Sequence, residues 1–389
     1  MEQGFDPFSA RSLRRIRLIF DMSAHASCVF HSTSTRLISD MSKSSTTNPV
    51  IRAIDIGYGN TKFTVEHKHG QEVHCRMFPS LAPQASTNGD LGAGMLAKRD
   101  TAPITVNGVQ YEIGPDSELA QSGIARNRVL LTDYCKSDSY MALLRGALHY
   151  MDVGHVDLLA LGLPVSTYAS YKNELMSLAT GSHNCGNRTI KVHAVRVYPQ
   201  PLGGFFEYAV RSKLFAQMSS EINLLIDPGF FTLDWLVTSG IKTLDGRSGA
   251  ANDGGMSSIL RTIAKAIARD NQCDESEIGD VARIDAALRG STPLRLFGKT
   301  IDVDQYRPIG LAKAEEAINA MMTSIGRTAE IANIVLVGGG SYFYADSIKA
   351  RFPRHNIAIA HDPVFANARG FQLIAEQRFN QIQSQPLAA

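Results

Sequence analysis

The sequence is short of the features that mark several common protein classes. Its five cysteines (Cys28, Cys75, Cys135, Cys185 and Cys273) are scattered, odd in number and form no CxxC pair. That pattern argues against a structural zinc site or a disulfide framework and fits a reducing cytoplasm. Cys185 lies two residues from His183, which reads as a pair of loop residues, not a catalytic dyad. No apolar run approaches the roughly 20 residues of a membrane span. There is no G-x-x-x-x-G-K-[ST] element, so the chain is not a P-loop protein. There is no G-x-S-x-G, so a nucleophile-elbow hydrolase has no support. The eleven histidines show no H-x-x-x-H spacing.

Charge of one sign is also scarce. The formal net charge is +2. Six basic residues before Val50 (Arg11, Arg14, Arg15, Arg17, Arg36, Lys43) stand against four acidic ones (Glu2, Asp6, Asp21, Asp40), so the remainder sums to zero. The folded part thus has no bulk basic excess for direct nucleic-acid binding. Residues 1–49 also differ in texture, with four Arg and no acid between Ser9 and Phe20 and many Ser and Thr up to Thr47. A transit peptide, a disordered tail and a start codon set upstream of a true start at Met41 all fit this segment, which is set aside from the fold. The 389 residues, 44% hydrophobic and 20% charged, suffice for two ordinary globular domains.

What the chain does contain is one motif twice. Ile54-Asp55-Ile56-Gly57-Tyr58-Gly59-Asn60-Thr61-Lys62 follows the apolar run from Val50. Ile226-Asp227-Pro228-Gly229-Phe230-Phe231-Thr232-Leu233-Asp234 follows Leu224. Each reads as a buried strand ending in Asp, a Gly-containing turn, and a return strand. Two such hairpins facing each other would hold one nucleotide between two lobes. Asp55 and Asp227 supply carboxylates for Mg²⁺, which is commonly held by one or two carboxylates plus phosphate oxygens. Gly57, Gly59 and Gly229 allow close backbone approach to phosphate. Asn60, Thr61 and Thr232 can add side-chain donors, and Lys62 a point charge near a terminal phosphate. A third element, Gly338-Gly339-Gly340-Ser341, lies between an apolar strand and a helix, where a flat nucleoside can lie on backbone. Gln200, between Pro199 and Pro201, reads by itself as an exposed loop residue ahead of a helix; a rigidly placed amide there could also orient an attacking water.

The periodicities give strands at Val50 to Ile54, Phe63 to Val65, His74 to Phe78, Val156 to Leu161, Ile190 to Val197, Thr232 to Val237, Asn333 to Val337 and Ile357 to Ile359. Asn107-Gly108 marks a type I′ hairpin between Ile104 and Ile113. Helices are expected at Asp138 to Tyr150, Phe205 to Gln217, Ser257 to Arg269, Ala312 to Thr328, Ser341 to Arg351 and Phe365 to Phe379. Strands alternating with helices in both halves imply α/β lobes.

Asp55 to Lys62, Tyr198 to Phe206, Leu225 to Asp234, Ile334 to Ser341 and Pro363 to Phe371, in this order, resemble the five nucleotide-site motifs of the actin–Hsp70–sugar kinase superfamily. They correspond to its first phosphate loop, first connecting segment, second phosphate loop, adenosine motif and second connecting helix. Leu224 to Asp227 with Thr232 to Asp234, and Val337 to Gly340 followed by Ala345 to Lys349, are similar to the bacterial ParM/StbA plasmid segregation group. The wording Asp227 to Trp235 most resembles that group's PRTRC protein D branch. The resemblance implies an actin-like fold, with lobe I at 50–222, lobe II at 223–362 and residues 363–389 returning to lobe I. It implies ATP and Mg²⁺ as ligands, with Asp55 and Asp227 holding Mg²⁺ through waters, Gln200 at the water-orienting position and Gly338 to Ser341 on the nucleoside. It implies ATP hydrolysis, self-association into filaments and a DNA-binding adaptor as partner. Pro228, Phe230 and Phe231 depart from the small and polar residues usual in the second loop. Two other functions fit the same fold: a non-polymerising nucleotide switch, and a small-molecule kinase whose substrate base would be Asp253 or Asp245.

Overall fold

The structure, a computed structural model, describes residues 48–68, 71–85, 98–120 and 133–383; the N-terminal extension up to residue 47 lies outside them. Strand β1 (Ile51–Ile56) turns into β2 (Asn60–Glu66), then β3 (His74–Pro79) and the hairpin β4 (Ala102–Val106) and β5 (Val109–Ile113). Positive φ at Asn107 (48°) and Gly108 (83°) gives that hairpin the type I′ turn its sequence predicts. Next come α1 (Asp138–Tyr150), β6 (His155–Leu163), α2 (Val165–Ala179), β7 (Gly181–Asn184) and β8 (Thr189–Pro199). Helices α3 (Gln200–Arg211) and α4 (Phe215–Met218) lead to β9 (Ile222–Pro228), β10 (Thr232–Ser239), β11 (Lys242–Thr243) and β12 (Gly249–Asn252). Then follow α5 (Met256–Asp270), α6 (Glu275–Ile278), α7 (Ala282–Leu288), β13 (Leu294–Leu296), β14 (Lys299–Ile301) and α8 (Arg307–Ile325). The chain closes with β15 (Ile331–Leu336), α9 (Ser341–Arg351), β16 (Ile357–Ile359) and α10 (Ala366–Gln383).

Two sheets repeat one plan. The first has the order β3-β2-β1-β6-β8-β7 and the second β11-β10-β9-β15-β16, with β12 also on β10. In each, an antiparallel hairpin (β1–β2, β9–β10) opens the lobe, and its first strand pairs parallel with a later one (β6, β15). The duplicated motif is therefore a duplicated lobe.

Strand alternation sets both layers. Ile54 and Ile56 face a core shared with α1, while Ile51 and Ala53 face Phe371, Ala375 and Phe379 of α10. In β9, Leu224 and Ile226 face α5, α8 and α9, while Leu225 faces Phe205, Phe206 and Ala209 of α3. Both strands are largely buried on both sides, which is why they read as mainly apolar runs, interrupted by Arg52 in β1 and Asn223 in β9.

The helices expected at Asp138 to Tyr150 and Ser341 to Arg351 form with those bounds, while others shift at their starts. Phe205 to Gln217 is instead two helices, α3 from Gln200 and α4 from Phe215. Pro201 sits in the first turn of α3, where its missing N–H costs nothing. Pro308 plays the same part in α8, which begins at Arg307. Helix α2 has no counterpart among the expected elements: only Thr167, Leu175 and Ala179 are buried along it, too narrow a stripe to register as a helical period.

Candidate functional site

The two aspartates reach the centre by the same route. On β1, Asp55 shares a face with Ile51 and Ala53; on β9, Asp227 shares a face with Leu225. Each lies at the strand's C-terminal end, where the cover of α10 or α3 gives way to a cleft. Asp55 is 1% exposed and Asp227 6%, so both need donors. The helix that crosses over supplies each one. Gln200, opening α3, donates Nε2–H to Asp55 Oδ1 at 2.7 Å. Asn367, in the first turn of α10, donates Nδ2–H to Asp227 Oδ2 at 2.7 Å. Gln200 leaves its Oε1 free of that contact.

In the first hairpin, Asp55 pairs with Lys62 across the strands, and Lys62 Nζ lies 3.0 Å from Asp55 Oδ2. Gly57 N–H donates to Asn60 O at 3.1 Å to close the turn. Thr61 does not serve as a cleft donor. It is the next residue in the alternation, fully buried, with its hydroxyl 2.9 Å from Ser80 Oγ.

The second hairpin sets Asp227 opposite Asp234. Asp234 Oδ2 accepts from the Thr232 hydroxyl, and Asp234 Oδ1 accepts from Val165 N–H of the first lobe at 2.9 Å. The loop between them is tied down from behind, because Met256, Ser257 and Gly255 donate backbone N–H to Gly229, Phe230 and Phe231 carbonyls. Phe230 and Phe231 turn forward onto the first hairpin. Tyr58 and Phe231 ring centroids are 4.9 Å apart, Tyr58 stacks on Tyr134 at 5.1 Å, and Phe230 lies against Gly59. The aromatic residues that replace small ones in this loop join the two hairpins.

The glycine run docks on this loop. Gly338 has φ 85°, and a Cβ there would stand 1.9 Å from Asp227 Oδ1; Gly340 donates its N–H to Pro228 O at 2.8 Å. Two of the three glycines are thus required by contact with the second hairpin, and Gly339 is the open one. Ser341 does not line the cleft: its hydroxyl donates to the Val337 and Gly338 carbonyls at 2.8 and 2.9 Å, tying down the turn that leads into α9.

The cleft holds about 1010 Å³ of empty space, solvent at its mouth included, within reach of a nucleotide. Asp55, Gly57, Gly59, Asn60, Lys62, Gln200, Asp227, Gly229, Thr232, Gly338, Gly339 and Gly340 all line it; Asp253 and Asp245 do not. Sequence reasoning placed Asn367 in a matched motif without giving it a role, and missed Asp285 and Arg289. Arg289 lies over the Tyr342 ring at 3.9 Å and donates to Gly339 O at 2.7 Å and to Asp285 Oδ2 at 2.8 Å. It forms a flat cationic wall beside the glycine run, and a lone Arg after a short helix gives no sequence signal. His183 and Cys185 form no catalytic pair: His183 Nε2 meets Ala179 O at 2.9 Å, and burial pushes the Cys185 thiol up to about 12.

Burial raises the Asp227 carboxyl to about 6, against the Asn367 hydrogen bond, with the nearby Asp55 charge adding to the rise. Burial also raises Asp234 to about 7, with Asp227 contributing. Neither has an ion-pair partner among the described residues. A cleft with uncompensated buried carboxylates suits a bound cation. Among the described residues, however, no group of three or more His, Cys, Asp or Glu could hold a metal alone. This donor set fits Mg²⁺, which keeps waters and takes its remaining ligands from phosphate.

Residues 53–203 match the model of the N-terminal domain of actin-like proteins, and residues 225–350 that of the C-terminal domain of archaeal actin homologues, MreB-like. The structure superposes on apo psk41 ParM with a TM-score of 0.62 at 18% identity, covering 87% of this chain and 100% of that one. The fold is that of actin. The archaeal actin homologue Ta0583 in complex with ADP (TM-score 0.61, 19% identity, 85% and 99% covered) shares it. So does the 15-stranded ParM filament from Clostridium botulinum (TM-score 0.65, 20% identity, 85% and 100% covered). At these identities the likeness establishes the fold. No curated protein sequence matches this actin-like chain significantly. No helix among the described residues is long and apolar enough to cross a membrane.

Proposed function

We propose that this actin-like protein binds and hydrolyses Mg-ATP in the cleft and polymerises in the service of plasmid segregation or maintenance, in the branch of PRTRC system protein D, with a DNA-binding adaptor as partner. The lobes run from 50 to 222 and from 223 to 362, with residues beyond 363 returning to the first. The observation that carries the reading is the paired arrangement at the centre: two buried aspartates, each held by an amide from a helix that joins the lobes. A single Asp-Gly turn is common; two that converge with Gln200 and a docked glycine run are not.

Asp55 and Asp227 would hold the metal, and the Gly57–Asn60 and Gly229–Thr232 turns would take the phosphates. Lys62 balances Asp55 and adds positive charge at the terminal phosphate. The Gly338–Gly340 run and Arg289 take the nucleoside. Bound Mg²⁺ supplies charge neutralisation on the phosphate oxygens. Gln200, with its N–H₂ group committed to Asp55, presents Oε1 to a water and orients it.

Gln200→Ala should therefore leave nucleotide binding intact and lower turnover on the order of 100-fold, the cost of losing alignment. Phosphate release and calorimetry together check this; unchanged turnover with weakened binding would refute the role. For assembly, light scattering at micromolar protein should rise on adding ATP and Mg²⁺ and decay as nucleotide is consumed. No rise across a wide protein and salt range, with binding confirmed separately, would select the non-polymerising switch.

A further inference from the structure

Asp234 takes part in a contact that neither hairpin needs for its own turn. It lies on β10 of the second lobe, 3% exposed, yet its Oδ1 accepts Val165 N–H, the first residue of α2 in the first lobe. Helix α2 has no cap of its own. Pro164 precedes it, and no side chain at that position bonds its free N–H groups. A helix N-terminus favours a carboxylate both by its unpaired N–H groups and by its dipole. Asp234 therefore caps α2 from the other lobe.

The place of that contact matters. Strands β6 and β8 run parallel with Leu163 beside Pro199. The turn Leu163-Pro164-Val165 and the start of α3 at Gln200 thus leave the sheet side by side, and Leu163, Pro164, Thr167 and Gln200 share one wall of the cleft. We propose that Asp234 is a positioning residue that latches the lobes, fixing the Leu163–Val165 wall against which Gln200 aligns the attacking water. In the closed arrangement the carboxylate gives up water for the Val165 N–H and the Thr232 hydroxyl. When the lobes part, it regains water and α2 loses its cap. The contact is thus made or broken as a unit with closure. Its kinetic consequence rests on the ATPase reading; the latch itself does not.

The test compares D234A with D234N in the full chain. Asparagine keeps a carbonyl oxygen for Val165 N–H; alanine does not. Hydrogen exchange of the peptide spanning 163–170, without nucleotide, should be slow in wild type and D234N and markedly faster in D234A. The kcat should fall roughly 10- to 100-fold in D234A and recover to within about threefold in D234N. Circular dichroism melts confirm that D234A is folded. Unchanged exchange at 163–170 in D234A overturns the latch. Faster exchange with wild-type kcat overturns the positioning role. Faster exchange in D234A, with a wild type that hydrolyses no ATP, sinks the ATPase reading and leaves the latch standing.

Discussion

Gly370→Ala is expected to destabilise the protein by roughly 3 kcal/mol or more, at or beyond the upper end for an overpacked site. A Cβ at 370 would stand 1.8 Å from Gly203 O and 2.4 Å from Gly203 C, and one at 203 would stand 2.4 Å from Asn367 O. These obstacles are backbone, so no rotamer change relieves them. Helices α3 and α10 would have to separate, and with them the amides that hold Asp55 and Asp227. Urea melts should show a much lower midpoint than wild type, and ATP turnover should fall with it. Gly154→Ala is the control, since a Cβ there meets nothing within 4 Å. A Gly370→Ala protein that melts with wild type would mean the helices do not cross backbone to backbone.

Asp227→Asn should separate stability from ligand binding. The folded Asp227 carboxyl is pushed up to about 6, above its unfolded value, so the folded state holds its proton more tightly. Stability is then favoured at low pH, is lost as pH rises through the range from about 4 to 6, and stays reduced above it. Ionised Asp227 costs roughly 3 kcal/mol at pH 8. Asparagine removes that cost and keeps an oxygen for Asn367. The ligand-free variant should therefore melt higher than wild type at pH 8, with the gain shrinking toward pH 4. Mg-ATP affinity should drop about 10- to 100-fold, as for a residue that holds a metal through its shell. The thermal upshift produced by Mg-ATP should shrink accordingly. Melts with and without Mg-ATP at both pH values check this. A variant with an unchanged ligand-free melt and a full Mg-ATP upshift would show that Asp227 neither carries an uncompensated buried charge nor holds the metal.

Much of the architecture was legible because β1 and β9 are largely buried on both faces and so print a mainly apolar run before each Asp. The hairpins and the glycine run followed from local chemistry, Gln200 only from its place in the family's motif order, and the structure gathers them in one cleft. Side-chain direction was less legible. Thr61 and Ser341 look like donors in a string of letters, but one falls inward by strand alternation and the other bonds back to the carbonyls of its own turn. Asn367 and Gly203 fall within two matched motifs, but their roles could not be read locally, because these lie in the crossing of α3 with α10, more than 160 residues apart. Arg289 was hidden for the same reason: it matters through Tyr342 and Gly339, which lie on other elements. Helix α2 lay too near the surface to show a period, and so its cap from Asp234 was invisible as well.

The return of α10 to the first sheet also sets an order of synthesis. Gln372 donates to Ile51 O at 2.9 Å and accepts from the Thr64 hydroxyl at 2.8 Å, across sequence separations of 321 and 308 residues. Phe371, Ala375 and Phe379 cover Ile51, Ala53, Leu158 and Ala160. A ribosome therefore releases the strands of the first sheet long before their last covering helix exists. One apolar face of that sheet stays open to water throughout translation of the second lobe. The half that is made first is the half that is finished last.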